Sequence, residues 1–108
     1  MILIGSTRRP NVPKFVLRNY HKKQAKRLGV SISYSKNKGK KLDVFKDGKK
    51  VASIGAKGYW DYQAYKIAEK SGKFPKGYAE NRRRLYKIRH KDENKPGTPG
   101  YYALNILW

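Results

Sequence analysis

Asp47-Gly48 stands between two apolar-rich runs, Leu42-Asp43-Val44-Phe45-Lys46 and Lys50-Val51-Ala52-Ser53-Ile54. This dipeptide tolerates the positive φ angles of a tight hairpin turn, so the two runs are predicted to fold back as antiparallel strands. Ser31-Ile32-Ser33-Tyr34 alternates in the same way and offers a third strand. Two or three strands do not hold together in water by themselves, so helices must cover the apolar face of this hairpin. The expectation is a small α+β domain: a β-hairpin, or three strands, packed by two or three helices.

The helical segments are read from spacing and from breakers. Asn11 can cap a helix from Pro13 to Leu28, with Leu17, Tyr20, Gln24 and Leu28 inward and Arg18, Lys22 and Lys26 on a basic stripe. Asp61 can cap a helix over 62–71 that packs Tyr62, Tyr65 and Ala68 and ends at Gly72. Phe74 to Gly77 is a linker. Residues 78–91 form a further helix with Tyr78, Leu85 and Ile88 inward and Arg82, Arg83, Arg84, Lys87, Arg89 and Lys91 over most of the remainder. Lys95 to Gly100 breaks the chain, and Tyr101 to Trp108 closes it with an apolar, aromatic end. Residues 1–13, with Pro10 and Pro13, read as an extended basic arm, and residues 14–108 as one domain.

The charge sets the functional question. The 108 residues carry 27 Lys and Arg against 7 Asp and Glu, a net charge of +20. The excess runs through all parts of the chain, so it belongs to the folded body rather than to a tail. Such a body repels itself and is drawn to polyanions, either nucleic acid or acidic protein surfaces. Aromatic residues make up 13% of the chain, which favours an ordered domain over a disordered basic tail. There is no Cys, so disulfides and thiolate metal sites are excluded. The apolar start Met1-Ile-Leu-Ile is too short for a signal core or a membrane span.

Catalysis finds little material here. His21 and His90 are the only histidines, they fall on separate helices, and no HxxxH-type spacing supports a metal site. His90-Lys91-Asp92-Glu93 faintly resembles a nuclease cluster, but its acids more simply neutralise neighbouring Lys and Arg. Gly55-Ala56-Lys57-Gly58 follows a strand without matching GxGxxG or GxxxxGK[ST], so its glycines are read as permitting a tight strand-to-helix turn. The expectation is no enzyme, no cofactor, no metal and no small-molecule substrate.

Residues 53–108 resemble an uncharacterised family of small basic domains from nucleocytoplasmic large DNA viruses. The resemblance rests on Gly55-Ala56-Lys57-Gly58-Tyr59-Trp60-Asp61-Tyr62, on Arg89-His90-Lys91 with Glu93-Asn94, and on Thr98-Pro99-Gly100 with Leu104-Asn105-Ile106-Leu107-Trp108. The family pattern has Ser where Trp60 stands, an added aromatic after the Glu-Asn pair, and a shorter link than Ser71 to Gly77. The resemblance implies a viral setting, with no established activity, and a diverged member with altered contacts.

Two roles follow as expectations. The first is a structural virion protein, a minor capsid protein that bridges neighbouring capsid proteins. In it Trp60, Tyr101, Tyr102, Leu107 and Trp108 anchor in the partner while Arg82, Arg83, Arg84, Lys87 and Arg89 pair with its acids. Core closure is the plainer reading of the apolar terminus; as an anchor, its removal from Tyr101 onward would abolish assembly and spare the hairpin. The alternative is a genome-packaging protein that binds nucleic acid without base readout, through Arg8, Arg9, Arg18, Lys22, Lys26, Lys38, Lys40 and Lys41. Either role places the protein in the virion, at the shell or on its inner face, after synthesis in an infected cell.

Overall fold

A computed structural model describes residues 12–108, and the arm cations Arg8 and Arg9 and the expected cap Asn11 lie outside the described residues. Asp47 and Gly48 take φ angles of 52° and 79°, the doubly positive turn that joins two right-twisted strands without splaying them. The hairpin strands, Lys40–Lys46 (β2) and Lys49–Ala56 (β3), run slightly beyond the expected bounds. Ser31–Tyr34 (β1) pairs with the other edge of β2, giving an antiparallel sheet of order β1-β2-β3. The helices are Asn19–Arg27 (α1), Tyr62–Lys70 (α2), Tyr78–Arg89 (α3) and Pro99–Tyr102 (α4). The architecture is α+β.

Register decides which side chains the sheet buries. Val44 lies between Ile32 and Ala52, and Leu42 between Tyr34 and Ile54, so these residues share one face. Leu42 and Val44 are fully buried there, and Ala25, Tyr65, Ile106 and Leu107 belong to the same core. A register shift follows Val44: Ala52 pairs with Val44 and Lys50 with Phe45, leaving Val51 as the extra residue of a bulge and exposed. On the other face Asp43 lies between Ser33 and Ser53.

The first helix is shorter than expected. Arg18, with extended φ and ψ of −119° and 167°, is its N-cap, and residues 12–17 are not helical. Tertiary contacts hold that stretch: the Leu17 amide donates to the Tyr34 hydroxyl (2.9 Å), and Phe15 packs on His21 and edge-on to Tyr34. Tyr20, Gln24 and Leu28 are half-buried as expected, but the fully buried positions are His21 and Ala25. Tyr20 and Gln24 donate to the carbonyls of Trp108 (3.1 Å) and Asn105 (2.9 Å), tying α1 to the end of the chain.

The second helix follows the sequence closely. Asp61 caps it, its Oδ1 accepting from the Ala64 amide at 3.1 Å, and Tyr62, Tyr65 and Ala68 are buried. In α3 Tyr78 packs on the core as expected, against Tyr65 and Phe74, but the rest of the inward face differs. Ala79 is buried, Arg82, Arg83, Tyr86 and His90 continue its stripe at helical spacing, and Ile88 is exposed on the opposite side, about two and a half turns on. Leu85 is half-buried but lies off that stripe. Tyr86 displaces the aliphatics because Trp108 offers it a nearly parallel ring at 4.2 Å (8°).

The C-terminal segment is core. Thr98 caps α4, its hydroxyl accepting from the Tyr101 amide at 3.2 Å, with Pro99 at the first helical position. The backbone then widens into π turns over Ala103–Leu107. Tyr102, Leu104, Ile106, Leu107 and Trp108 are all buried. The assignment of Tyr102, Leu107 and Trp108 as anchors for a partner is therefore corrected: these side chains are spent closing the domain's own core. Tyr101 and Trp60 remain half-buried. The glycine turn has a packing reason too. A Cβ at Gly55, whose φ is +77°, would lie 2.7 Å from Leu107 Cδ1 and 2.9 Å from Lys41 Cδ.

Candidate nucleic-acid interface

Two of the carboxylates, Asp43 and Asp61, are buried, Glu69 is half-buried, and Glu80 and Glu93 are exposed but paired. Asp61 Oδ2 accepts from Lys41 Nζ at 2.9 Å, both side chains 5% exposed, and the same ammonium donates to the Tyr59 carbonyl at 2.7 Å. Asp43 Oδ1 accepts from the Ser35 and Ser53 hydroxyls, each at 2.6 Å, and Oδ2 from the Lys36 amide at 3.3 Å. Burial pushes the Asp43 carboxyl up, but these donors outweigh it and hold it below the usual aspartate value. Glu69 accepts from the Ala79 amide (2.8 Å) at the start of α3. Glu80 accepts from the Tyr62 hydroxyl, which burial first and this hydrogen bond second push up to about 12. Glu93 pairs with His90 Nδ1 at 2.6 Å. Five of the seven acidic side chains thus have internal partners.

The cations are left largely without counter-charges. Among the described residues, ion pairs within 4 Å engage Lys41, Lys50 and Arg83 of all the Lys and Arg. Arg18, Lys22 and Lys26 are exposed along α1, as the stripe predicted, and Lys38 is exposed with Lys40 half-buried. Lys41 is corrected: it is buried against Asp61 and unavailable to a polyanion. On α3, Arg84 and Arg89 are exposed, whereas Arg82, Arg83 and Lys87 are half-buried. Arg83 Nε donates to the Trp108 carbonyl (2.8 Å), and its guanidinium lies 4.8 Å from the Tyr62 ring centre. Lys87 is held below the usual lysine value, first by partial burial and then by Arg83 and Arg27.

Behind this surface a cleft of about 500 Å³ opens between the Gly55–Asp61 turn and α3. Trp60, Tyr65, Tyr86 and Trp108 line it together with Arg82, Arg89 and His90. The chain spacing hinted at none of this: the rings come from four separate segments. Among the described residues no group of three or more His, Cys, Asp or Glu gathers as a metal site, and no helix is long and apolar enough to cross a membrane.

His21 is fully buried yet half-satisfied. Its Nδ1 accepts from the Arg18 amide at 3.0 Å, which fixes the neutral ring as the Nε2–H tautomer, and Nε2 has no hydrogen-bond partner. Burial lowers its pKa; Asp61 opposes this, and Arg18 and Lys41 add to it. A depressed histidine value means that the unfolded chain binds the proton first as pH falls. Stability is therefore fully present above the ordinary histidine pKa of about 6.5 and lost as pH drops from there toward the folded value. Urea unfolding at about pH 7.5 and 5.5 should show this loss, and His21→Phe should flatten it. An unchanged slope in the variant would exclude His21 as the source.

No protein-family model matches this chain. Nor does any curated protein or solved structure.

Proposed function

We propose that this protein is a structural nucleic-acid-binding component of a large DNA virus particle, holding the genome through its phosphates at or near the inner face of the shell. The observation that carries the reading is the pairing of the acids within the domain: Asp43 and Asp61 are buried, and Glu69, Glu80 and Glu93 meet partners of the same domain nearer the surface. With five of seven carboxylates already engaged by groups of the same domain, most Lys and Arg among the described residues have no ion-pair partner within 4 Å. Phosphates supply such partners at regular spacing, and binding them releases condensed counterions. The cations are distributed over α1, the β1–β2 loop and α3 without converging on one groove-sized element, which suits backbone contact without base readout.

Affinity for random duplex DNA should fall about 10³–10⁵-fold between about 50 and 200 mM salt if six to ten phosphates are engaged, with little dependence on sequence. Filter binding or anisotropy across salt reads this directly. An affinity indifferent to salt would sink the proposal.

A second reading keeps a specific support. Tyr34 and Tyr59 are exposed and Trp60 and Tyr101 half-exposed among the cations, a mixture that also suits a minor capsid protein bridging acidic faces of capsid subunits. Fractionation of particles separates the two: release with the genome favours the first reading, and retention in the emptied shell favours the second.

A further inference from the structure

The cleft beside α3 holds both tryptophans of the chain, Trp60 and Trp108. On one side His90, Tyr86 and Trp108 form a continuous stack, with ring centres 4.1 and 4.2 Å apart. On the other, Trp60 lies nearly parallel to Tyr65 at 5.0 Å. Arg82 also lines the cleft, its guanidinium carbon 5.7 Å from the Tyr65 ring centre. Its Nε is shielded from solvent and has no hydrogen-bond partner, a donor whose burial is costly unless something accepts from it. Arg89 is exposed at the rim, and Lys73 lies 5.5 Å from the Trp60 ring centre. The carboxylate in the lining, Asp61, is already neutralised by Lys41.

Flat ring surface beside unspent cationic donors is the chemistry that receives an aromatic ring carrying an anion. The volume of about 500 Å³ falls within the range of about 300–1,000 Å³ typical of sites for one small molecule. We propose that this cleft takes a nucleotide of single-stranded nucleic acid, its base against the Trp60 side and its phosphate on Arg82 and Arg89. This rests on the polyanion reading above and adds strand selectivity to it. A duplex keeps its bases in their own stack and meets only the outer cations; a single strand can splay one base into the cleft.

The test uses the two tryptophans as reporters, since both line the site. Oligothymidylate should quench their fluorescence saturably, whereas a duplex of matched charge should bind with little quenching. Arg89→Gln, at an exposed position, should lower oligothymidylate affinity about tenfold while lowering duplex affinity only by the share of one charge. Trp60→Leu should cost a similar or larger factor for the single strand, with circular dichroism reporting on its fold. Three results would overturn the cleft site and leave the phosphate reading intact: oligothymidylate binding without quenching, equal losses on both nucleic acids in Arg89→Gln, or equal quenching by polyglutamate. Absence of binding to either nucleic acid would remove both.

Discussion

Trp108→Ala should lower the unfolding free energy by about 3–5 kcal/mol, a large share of the stability of a domain of this size. The side chain is 8% exposed, stacks on Tyr86 at 4.2 Å and packs against Tyr65. Its carbonyl accepts from both Tyr20 and Arg83, so α1, α2 and α3 all meet at this residue. Truncating a buried Trp costs about 3–5 kcal/mol, against a total stability of about 5–15 kcal/mol for a domain of this class. Removing 104–108 altogether takes Leu104, Ile106 and Leu107 from the core as well, and no cooperative transition should survive. The hairpin would then lose its cover rather than remain folded. Urea or thermal unfolding followed by circular dichroism reads both variants. A variant lacking 104–108 that melted cooperatively near the wild-type midpoint would contradict the placement of this segment.

Lys41→Met should cost about 3–5 kcal/mol, because it strands the Asp61 carboxylate in a site that excludes water. Asp61 would retain the Ala64 amide as a donor, which is too little to stabilise a buried charge by itself. The Tyr59 carbonyl would lose its lysine donor at the same time. The double variant Lys41→Met, Asp61→Asn should recover much of that loss, since the amide keeps the capping acceptor without the charge. Unfolding free energies for the two singles and the double form the cycle. A Lys41→Met protein within about 1 kcal/mol of the parent would mean that the pair is not desolvated as described. The same variants bear on function in a useful way: Lys41 is internal, so its replacement should leave the salt dependence of DNA binding unchanged wherever the fold survives.

Both predictions concern residues whose roles differ from their first appearance in the chain. Lys41 belongs to a basic run from Lys36 to Lys41 that resembles a solvated loop. Its partner lies twenty residues away, across the hairpin, and only the packing of the Gly55 turn against β2 brings the two together. Arg82 and Arg83 look like equal members of a basic tract with Arg84. In the fold Arg83 serves the C-terminal carbonyl, Arg84 meets Asn81 at the surface, and Arg82 keeps an unspent donor at the cleft.

What could be read from residue order alone was whatever depends on neighbours in the chain. The Asp47-Gly48 turn, the strands it joins, the Asp61 cap and the inward face of α2 follow from local φ preferences and short periodicities. The α+β class follows from the need to cover a hairpin. The start of α1, the outward turn of Ile88, the ion pair of Lys41 and the aromatic cleft were decided by contacts between segments far apart in sequence. In each case a long-range partner outweighed a weak local preference: Tyr34 for Leu17, Trp108 for Tyr86, Asp61 for Lys41. Helical propensity differs by less than about 1 kcal/mol between most residues, whereas burying an aromatic ring or satisfying a buried charge is worth several times that. The net charge, a property of composition, pointed to a polyanion from the start. Which acids are already engaged, and which described cations lack an ion-pair partner, depended on the fold, which buries Asp43 and Asp61 and pairs Glu69, Glu80 and Glu93 with other groups of the domain.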